Sequence, residues 1–162
     1  MAITIRKAVE RDVKSIFKLI KELAIFEKAG DQVTLTPEQL LKDGFQSNPA
    51  KYQAVVADKD GEIIGVAIYY FRYSTWKGST LYLEDLVITE RFRRKGIGQA
   101  LFEHVVYLAK KWDVGRLEWQ VLEWNHPAIA FYEAINTKFD KEWINCQLSQ
   151  DQLQEFPFKT IG

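Results

Sequence analysis

The segment Arg93-Arg94-Lys95-Gly96-Ile97-Gly98 joins two parts of the sequence that differ in hydrophobic periodicity. Residues 80–89 before it are predicted to form a long strand, and residues 98–112 after it carry apolar side chains at helical spacing. A helix N-terminus has unpaired N–H groups and a partial positive charge, and glycines let a backbone approach an anion closely. The sequence therefore predicts a strand–loop–helix unit that binds a phosphate group.

Two other phosphate-binding motifs do not match this stretch. A dinucleotide-binding fingerprint requires G-x-G-x-x-G, and Leu101 occupies the position of the third glycine. A P-loop requires G-x-x-x-x-G-K-[ST], which is absent. A glycine-containing turn with a solvated basic edge is the remaining alternative to a phosphate site.

Composition limits the class of protein. The chain has 162 residues, of which 47% are hydrophobic. This size and apolar content are typical of one globular domain, and we predict a single domain over residues 1–162. Lys plus Arg and Asp plus Glu number 22 each, which argues against a nucleic-acid or membrane-surface partner. The single cysteine, Cys146, excludes an internal disulfide and a cysteine-cluster metal site, and is expected to be buried.

The first residues of the sequence lack the apolar core of a signal peptide, and no uncharged apolar run approaches the length of a membrane span. These observations predict a cytoplasmic protein.

The remaining pattern predicts a mixed α/β domain in the order β-α-α-β-β-β-α-β-α-β, with a central sheet flanked by helices. Asp12 is predicted to cap the first helix, and Thr36-Pro37-Glu38-Gln39 to open the second with a capping box. Residues 58–61 are predicted to form a hairpin turn with Gly61 at positive φ. The predicted strands are residues 3–7, 52–57, 62–71, 80–89 and 117–122, with one or two more within 139–148, and the last helix is 127–135.

Several motifs together identify a family resemblance. Arg93-x-x-Gly96-x-Gly98 matches [Q/R]-x-x-G-x-[G/A], the acetyl-CoA signature of the GNAT superfamily, in a strand–loop–helix context. From about residue 5 to residue 143 the chain resembles the diamine (spermidine/spermine) and thialysine acetyltransferases. The similarity is densest at residues 19–24, 43–45, 69–71, 82–85 and 123–125, and Ser74-Thr75-Trp76-Lys77-Gly78 is closer to the thialysine branch.

The resemblance implies a GNAT fold, in which acetyl-CoA lies in a splay between two parallel strands, here those ending near Thr89 and Leu122. The backbone of Leu86, Val87 and Ile88 would pair with the pantetheine arm. The other cofactor contacts that it implies are Arg93, Arg94, Lys95, Gly96, Ile97, Gly98, Gln99, Asn125, Pro127, Ala128 and Tyr132. It implies no metal.

The resemblance also assigns chemistry to two side chains. Tyr132 matches the general acid, and a phenol with a pKa of about 10 can protonate a departing thiolate. Its alternative is a tyrosine packed on a helix face. Glu84 would bind the acceptor amine through a water that receives the proton of the amine, the alternative being a buried ion pair. Asp85, its neighbour, would point to the opposite face of a regular strand, unless a bulge intervenes.

Further acceptor contacts are implied at Phe26 and Glu27, where the alternative is a solvated charge at a helix end, and at Trp76, where the alternative is a dimer contact. The family commonly has a glycine where this chain has Asn136, and asparagine also tolerates the left-handed conformation at a helix end. The resemblance implies a homodimer.

The predicted activity is transfer of acetyl from acetyl-CoA to a primary amine of a small molecule, such as a polyamine, a diamine or a thialysine-like amino acid. Direct attack in a ternary complex is favoured, because no Cys or Ser is set beside a His base. A protein-lysine acetyltransferase and a non-catalytic CoA-binding regulatory module are the alternatives.

Overall fold

The computed structural model describes residues 2–159. Its helices and strands are β1 (Ile3–Lys7), α1 (Val13–Phe26), α2 (Pro37–Phe45), β2 (Gln53–Lys59), β3 (Glu62–Ser74), β4 (Gly78–Ile88), α3 (Ile97–Lys111), β5 (Leu117–Glu118), α4 (His126–Ala134) and α5 (Gln150–Gln154). The chain forms two compact units, Met1–Leu122 and Glu123–Gly162, and the whole sheet belongs to the first.

The sheet of the first unit has five strands in sequence order, β1-β2-β3-β4-β5. The first three pairings are antiparallel, and β4 pairs with β5 in parallel. A mixed central sheet flanked by helices was predicted, and the structure confirms it.

β4 and β5 pair over a short length and then part. Their register pairs Leu81 with Leu117 and Tyr82 with Glu118, whereas β4 continues to Ile88. The predicted strand 117–122 was therefore too long. The pairing of β4 with β3 shifts register between Ile68 and Tyr69, and such a bulge bends a strand. β4 bends just where its pairing with β5 ends, which leaves one edge of its last residues open.

The helices cover both faces of the sheet. One core cluster joins α1 and α2 to alternate residues of β2 and β3. Its members include Ile16 and Leu19 of α1, Val56 of β2 and Val66 of β3. Residues of the opposite parity in the strands, such as Val55, are also buried, so the other face is covered too. Packing on two faces explains why the central strands are continuously apolar.

Local signals of helix starts were right in part. Thr36 Oγ1 accepts a hydrogen bond from the Gln39 N–H at 3.2 Å and caps α2 as predicted, but the Gln39 side chain donates to Asp43 instead of closing a capping box. Asp12 precedes α1 without capping it. Its carboxylate accepts from the Val9 N–H and from Arg6, and a charged pair is a stronger partner than an amide alone.

The hairpin turns follow from glycine and aspartate. Asp60 and Gly61 have φ values of 53° and 90° and connect β2 to β3, which confirms the predicted turn. Ser74 and Gly78 pair across β3 and β4, so the turn that joins these two strands comprises only residues 75–77.

The second unit contains α4 and α5, and no strand occurs in its described part, residues 123–159. The strands predicted within 139–148 were wrong. Trp143 and Ile144 are 72% and 87% exposed although they are sequence neighbours, so neither face of this segment is covered. Cys146 was expected to be buried and is exposed. Asn136 follows α4 with φ 61°, the left-handed conformation that was predicted.

Within residues 2–159, no helix combines the length and the apolarity needed to cross a bilayer.

Candidate functional site

The loop between β4 and α3 presents an open helix N-terminus. A single 3₁₀ turn, Glu90–Phe92, leads into the loop, where Arg94 and Gly96 have φ values of 62° and 77°. No side chain caps α3, whose N-cap is Gly96. A Cβ at Gly98 would lie 3.7 Å from Ile88, an ordinary contact. The first N–H groups of α3 are therefore directed at the loop without a side-chain acceptor, as an anion site requires.

The basic residues of this loop point in different directions. Arg94 and Lys95 are exposed. Arg93 instead donates from Nε to the Ile88 carbonyl at 2.9 Å, and its guanidinium lies 5.2 Å from the centre of the Phe26 ring. Gln99, also predicted to bind cofactor, donates to Glu103 at 2.8 Å.

The end of β4 offers a free strand edge beside this loop. Leu86, Val87 and Ile88 pair with β3 on one side. On the other side they lie beyond the last residue that β5 pairs with. An extended ligand with amide groups can add to such an edge as a strand would.

Three carboxylates meet at the bulge of β4. Glu84 is exposed and accepts a hydrogen bond from the Tyr70 hydroxyl at 3.0 Å. Asp85 is half-buried, and desolvation, with the nearby charges of Glu84 and Glu27, raises its pKa to about 6. Desolvation also raises the pKa of Glu27, at the end of α1. We call Glu27, Glu84 and Asp85 the carboxylate cluster.

The carboxylate cluster brings together predicted residues from α1 and β4. After desolvation, the charges of Glu84 and Glu27 add to the raised pKa of Asp85, because like charges disfavour ionisation. The arrangement can attract an ammonium group and can accept a proton from it. In the part of the chain that the structure describes, no group of three His, Cys, Asp or Glu side chains is arranged to hold a metal ion.

The predicted site residues of the second unit lie in and around α4. Asn125 Oδ1 accepts from the Ala128 N–H at 3.4 Å and caps the helix, with Pro127 in its first turn. Tyr132 is 7% exposed, and burial raises the pKa of its hydroxyl. At neutral pH this phenol is therefore protonated and can donate.

Two predicted acceptor residues are placed differently. Phe26 is 42% exposed and lies under the Arg93 guanidinium. Trp76 is 79% exposed at the tip of the β3–β4 hairpin. Gly78 and Glu84 are separated by about 20 Å of strand, so Trp76 of the same chain lies far from the carboxylate cluster.

Sequence reasoning missed two residues that support the site. Tyr70 reaches Glu84 from the neighbouring strand, and Glu22 on α1 accepts hydrogen bonds from Thr89 and Glu90. Tyr70 could have been found from the pairing of β3 with β4, which places it opposite Tyr82, two residues before Glu84. The contribution of Glu22 is visible only in the folded structure, because its hydrogen-bond partners are 67 and 68 residues away in sequence.

The chain is similar in sequence to known proteins. The acetyltransferase (GNAT) family model matches residues 15–136. The chain is 38% identical over 144 residues to the thialysine N-epsilon-acetyltransferase of Bos taurus, covering 84% of each chain. It is 30% identical to the human spermidine/spermine N(1)-acetyltransferase-like protein 1, covering 96% of this chain and 24% of that protein.

Solved structures share the fold at lower identity. An integron cassette protein from V. cholerae superposes with a TM-score of 0.76 at 21% identity, covering 96% of this chain and 97% of that one. An aminoglycoside acetyltransferase from a soil metagenomic sample superposes with a TM-score of 0.74 at 18% identity, covering 91% and 95%. From the family match over most of its length and from its acetyltransferase relatives, the chain belongs to the GNAT family of acetyltransferases and is an amine N-acetyltransferase.

Proposed function

We propose that this acetyltransferase moves an acetyl group from acetyl-CoA to a primary amine of a small, cationic molecule by direct attack in a ternary complex. The observation that carries this proposal is the carboxylate cluster, because two of its members, Glu84 and Asp85, lie on the same strand as the open edge at residues 86–88. A site for an ammonium group and a site for an extended, anionic donor thus share β4.

The residues present fit acetyl-CoA. When bound, acetyl-CoA supplies an activated acetyl thioester. The backbone of Leu86, Val87 and Ile88 would hold the pantetheine arm, while the loop residues Arg94, Lys95, Gly96, Ile97, Gly98 and Gln99 would surround the pyrophosphate. Two observations support this assignment: α3 begins without a side-chain cap, and Gly96 adopts the positive φ that this loop needs. We further assign Asn125, Pro127 and Ala128 to the remainder of the cofactor.

The carboxylate cluster would bind the amine and take its proton. An alkylammonium has a pKa of about 10.4, so roughly one molecule in a thousand is neutral near pH 7. Asp85, with a pKa of about 6, is ionised at pH 7 yet more basic than an ordinary aspartate. Glu84 would orient the ammonium directly or through a water, and Glu27 would add to the attraction.

Tyr132 would serve the other half of the reaction. As the amine nitrogen bonds to the acetyl carbon, the carbon–sulfur bond breaks and a thiolate leaves. The Tyr132 hydroxyl would donate a proton, or a hydrogen bond, to that sulfur. Its raised pKa keeps the proton on the phenol until the thiolate forms.

The acceptor class that we propose is a polyamine, a diamine or a thialysine-like amino acid. The relatives support it, since the bovine protein is named for thialysine and the human one for spermidine and spermine. We propose a cytoplasmic homodimer in which Phe26 and Trp76 shape the acceptor site. Because Trp76 lies far along β4 from the carboxylate cluster in its own chain, a partner chain is the more direct way for it to do so.

The test is thiol release from acetyl-CoA with polyamines, diamines, thialysine, lysine and lysine-containing peptides, each against a reaction without amine. We expect release with at least one small diamine or lysine-like amine, and a loss of about a hundredfold in kcat for Tyr132→Phe with CoA affinity retained. Release with peptides alone would assign a protein-lysine acetyltransferase. CoA binding without release would assign a regulatory module.

A further inference from the structure

Glu22 on α1 holds the start of the cofactor loop in place. One carboxylate oxygen accepts from the Thr89 hydroxyl at 3.0 Å, and the other from the Glu90 N–H at 2.9 Å. These two residues come directly after the last residue of β4. The Glu22 side chain is 28% exposed, so its bonds are partly shielded from water.

Arg93 completes the same contact from the loop side. Its Nε donates to the Ile88 carbonyl at 2.9 Å, and Nη2 lies 3.5 Å from the Glu22 carboxylate. The guanidinium lies over the ring of Phe26, one turn beyond Glu22 on α1. Three interactions therefore turn the side chain toward β4 and α1, and its charge is balanced by Glu22.

The direction of Arg93 bears on how the loop binds an anion. A guanidinium paired to a carboxylate contributes little net attraction for a phosphate. The exposed Arg94 and Lys95 and the uncapped start of α3 remain as the direct contacts. Arg93 and Glu22 instead fix the path of the chain that enters this anion site.

We propose that Glu22 and Arg93 are positioning residues, which act together to hold the cofactor loop in its binding conformation. The inference rests on the proposed function in one respect, that residues 94–99 bind the pyrophosphate of CoA. It identifies α1 as the support of both substrate sites, because the same helix ends at Phe26, next to Glu27 of the carboxylate cluster.

The sign of a charge effect separates this role from simple electrostatics. Glu22→Gln removes a negative charge close to the anion site, which by Coulomb attraction alone would strengthen CoA binding. A positioning role predicts the opposite, a dissociation constant for CoA raised about tenfold, because charge-assisted hydrogen bonds to the loop are lost. Arg93→Lys keeps the charge but cannot make the same fork of bonds, and we expect it to bind CoA about as weakly as Arg93→Gln.

The experiment is calorimetric titration of the full chain and its variants with CoA at two salt concentrations. The variants are Glu22→Gln, Arg93→Gln, Arg93→Lys and the double variant, with Lys95→Gln as a direct-contact comparison. We expect the double variant to bind CoA no more weakly than the weaker-binding of the two single variants, because both substitutions disrupt the same set of contacts. The salt dependence should become shallower for Lys95→Gln, whereas the double variant, which leaves the net charge unchanged, should keep the salt dependence of the unmodified chain.

Thr89→Val is a milder variant that removes only one donor to Glu22, and we expect about a threefold loss of CoA affinity. Unchanged or tighter CoA binding in a folded Glu22→Gln variant, or full rescue by Arg93→Lys, would overturn the positioning role. Failure of the unmodified chain to bind CoA would instead overturn the proposed function, so the two failures are distinguishable.

Discussion

Asp85 shows how the fold changes the chemistry of one residue. On an exposed strand an aspartate has an ordinary acidity. Here burial, followed by the charges of Glu84 and Glu27, raises its pKa to about 6. The bulge in β4 places Asp85 within the field of Glu84, its sequence neighbour. A pKa near the working pH is the property expected of a proton acceptor in catalysis.

The pH dependence of the reaction follows from this raised pKa. Asp85 accepts a proton only when ionised, so kcat/KM should rise as pH increases through about 6 and level off above it. Asp85→Asn should lower kcat/KM about a hundredfold and remove that rise. The measurement is a pH–rate profile with saturating acetyl-CoA, with the exposed Asp31→Asn as control. A rise of equal midpoint in Asp85→Asn would assign the titration to another group.

At the scale of elements, the junction of β4 and β5 depends on a glycine. Gly115 donates its N–H to the Ser79 carbonyl at 2.9 Å, and a Cβ at this position would lie 2.2 Å from the Lys77 carbonyl oxygen. The backbone before β5 can approach the β3–β4 hairpin this closely only without a side chain. The place where β5 joins the sheet, and hence where the splay begins, is set by this contact.

Gly115→Ala should therefore destabilise the protein. The added methyl group meets backbone atoms that cannot move aside, and overpacking of this kind costs about 1–3 kcal/mol. The same substitution at Gly98 provides a matched control, because its Cβ would make an ordinary 3.7 Å contact and alanine favours a helix. Thermal unfolding should show a lower Tm for Gly115→Ala and no loss for Gly98→Ala. Equal Tm values for both would contradict the steric account.

A second element-scale contact ties β1 to its surroundings. Arg6 on β1 binds Asp12 at 2.7 Å and Asp58 at 2.9 Å, and the Asp12 side chain is 4% exposed. Burial opposes ionisation of Asp12, but hydrogen bonds from Arg6 and from the Val9 N–H outweigh it and lower the pKa. Because the folded pKa lies below the ordinary value of 3.8, this contribution is present above pH 3.8 and is lost as pH falls below it.

Asp12→Asn should remove most of that contribution. The amide cannot balance the Arg6 charge, which keeps only Asp58 as an ionic partner, and losing a charge-assisted hydrogen bond of this kind costs about 1–3 kcal/mol. Urea unfolding at pH 7 should show the loss, and the difference from the unmodified chain should shrink toward pH 3. A difference that is constant over this range would mean that packing, and not ionisation, accounts for the effect.

The sequence predicted some elements closely and others poorly for physical reasons. β4 and α3 were predicted at 80–89 and 98–112 and are found at 78–88 and 97–111, because a change of period and two glycines mark them locally. The length of β5 depends on how far β4 stays beside it, which no local pattern records. The direction of Arg93 likewise depends on Glu22, a residue 71 positions away.

Over the whole molecule the net charge is zero, but acidic and basic residues are grouped at different places. In the reaction that we propose, the carboxylate cluster would bind a cationic acceptor and the basic loop around Lys95 would bind an anionic donor. Both attractions are screened by salt. A balanced composition therefore excludes a general polyanion binder and still permits two strongly charged sites.

The whole chain is expected to unfold as one domain. Its described residues form two compact units, and we propose that these constitute a single catalytic domain, because predicted site residues occur in both. Scanning calorimetry should then show one transition whose calorimetric and van't Hoff enthalpies agree. Two resolved transitions would contradict a single domain.

The central claim is that the amine itself attacks the acetyl donor in this site. Acetyl-CoA carrying an isotopically labelled acetyl group, incubated with the best amine of the panel, tests it by mass spectrometry of both product and protein. We expect the label to appear in an amide on the primary amine, the protein to carry none, and Asp85→Asn and Tyr132→Phe to slow the appearance of the labelled amide. Label on the protein during turnover, or label released as acetate without an acetylated amine, would contradict it.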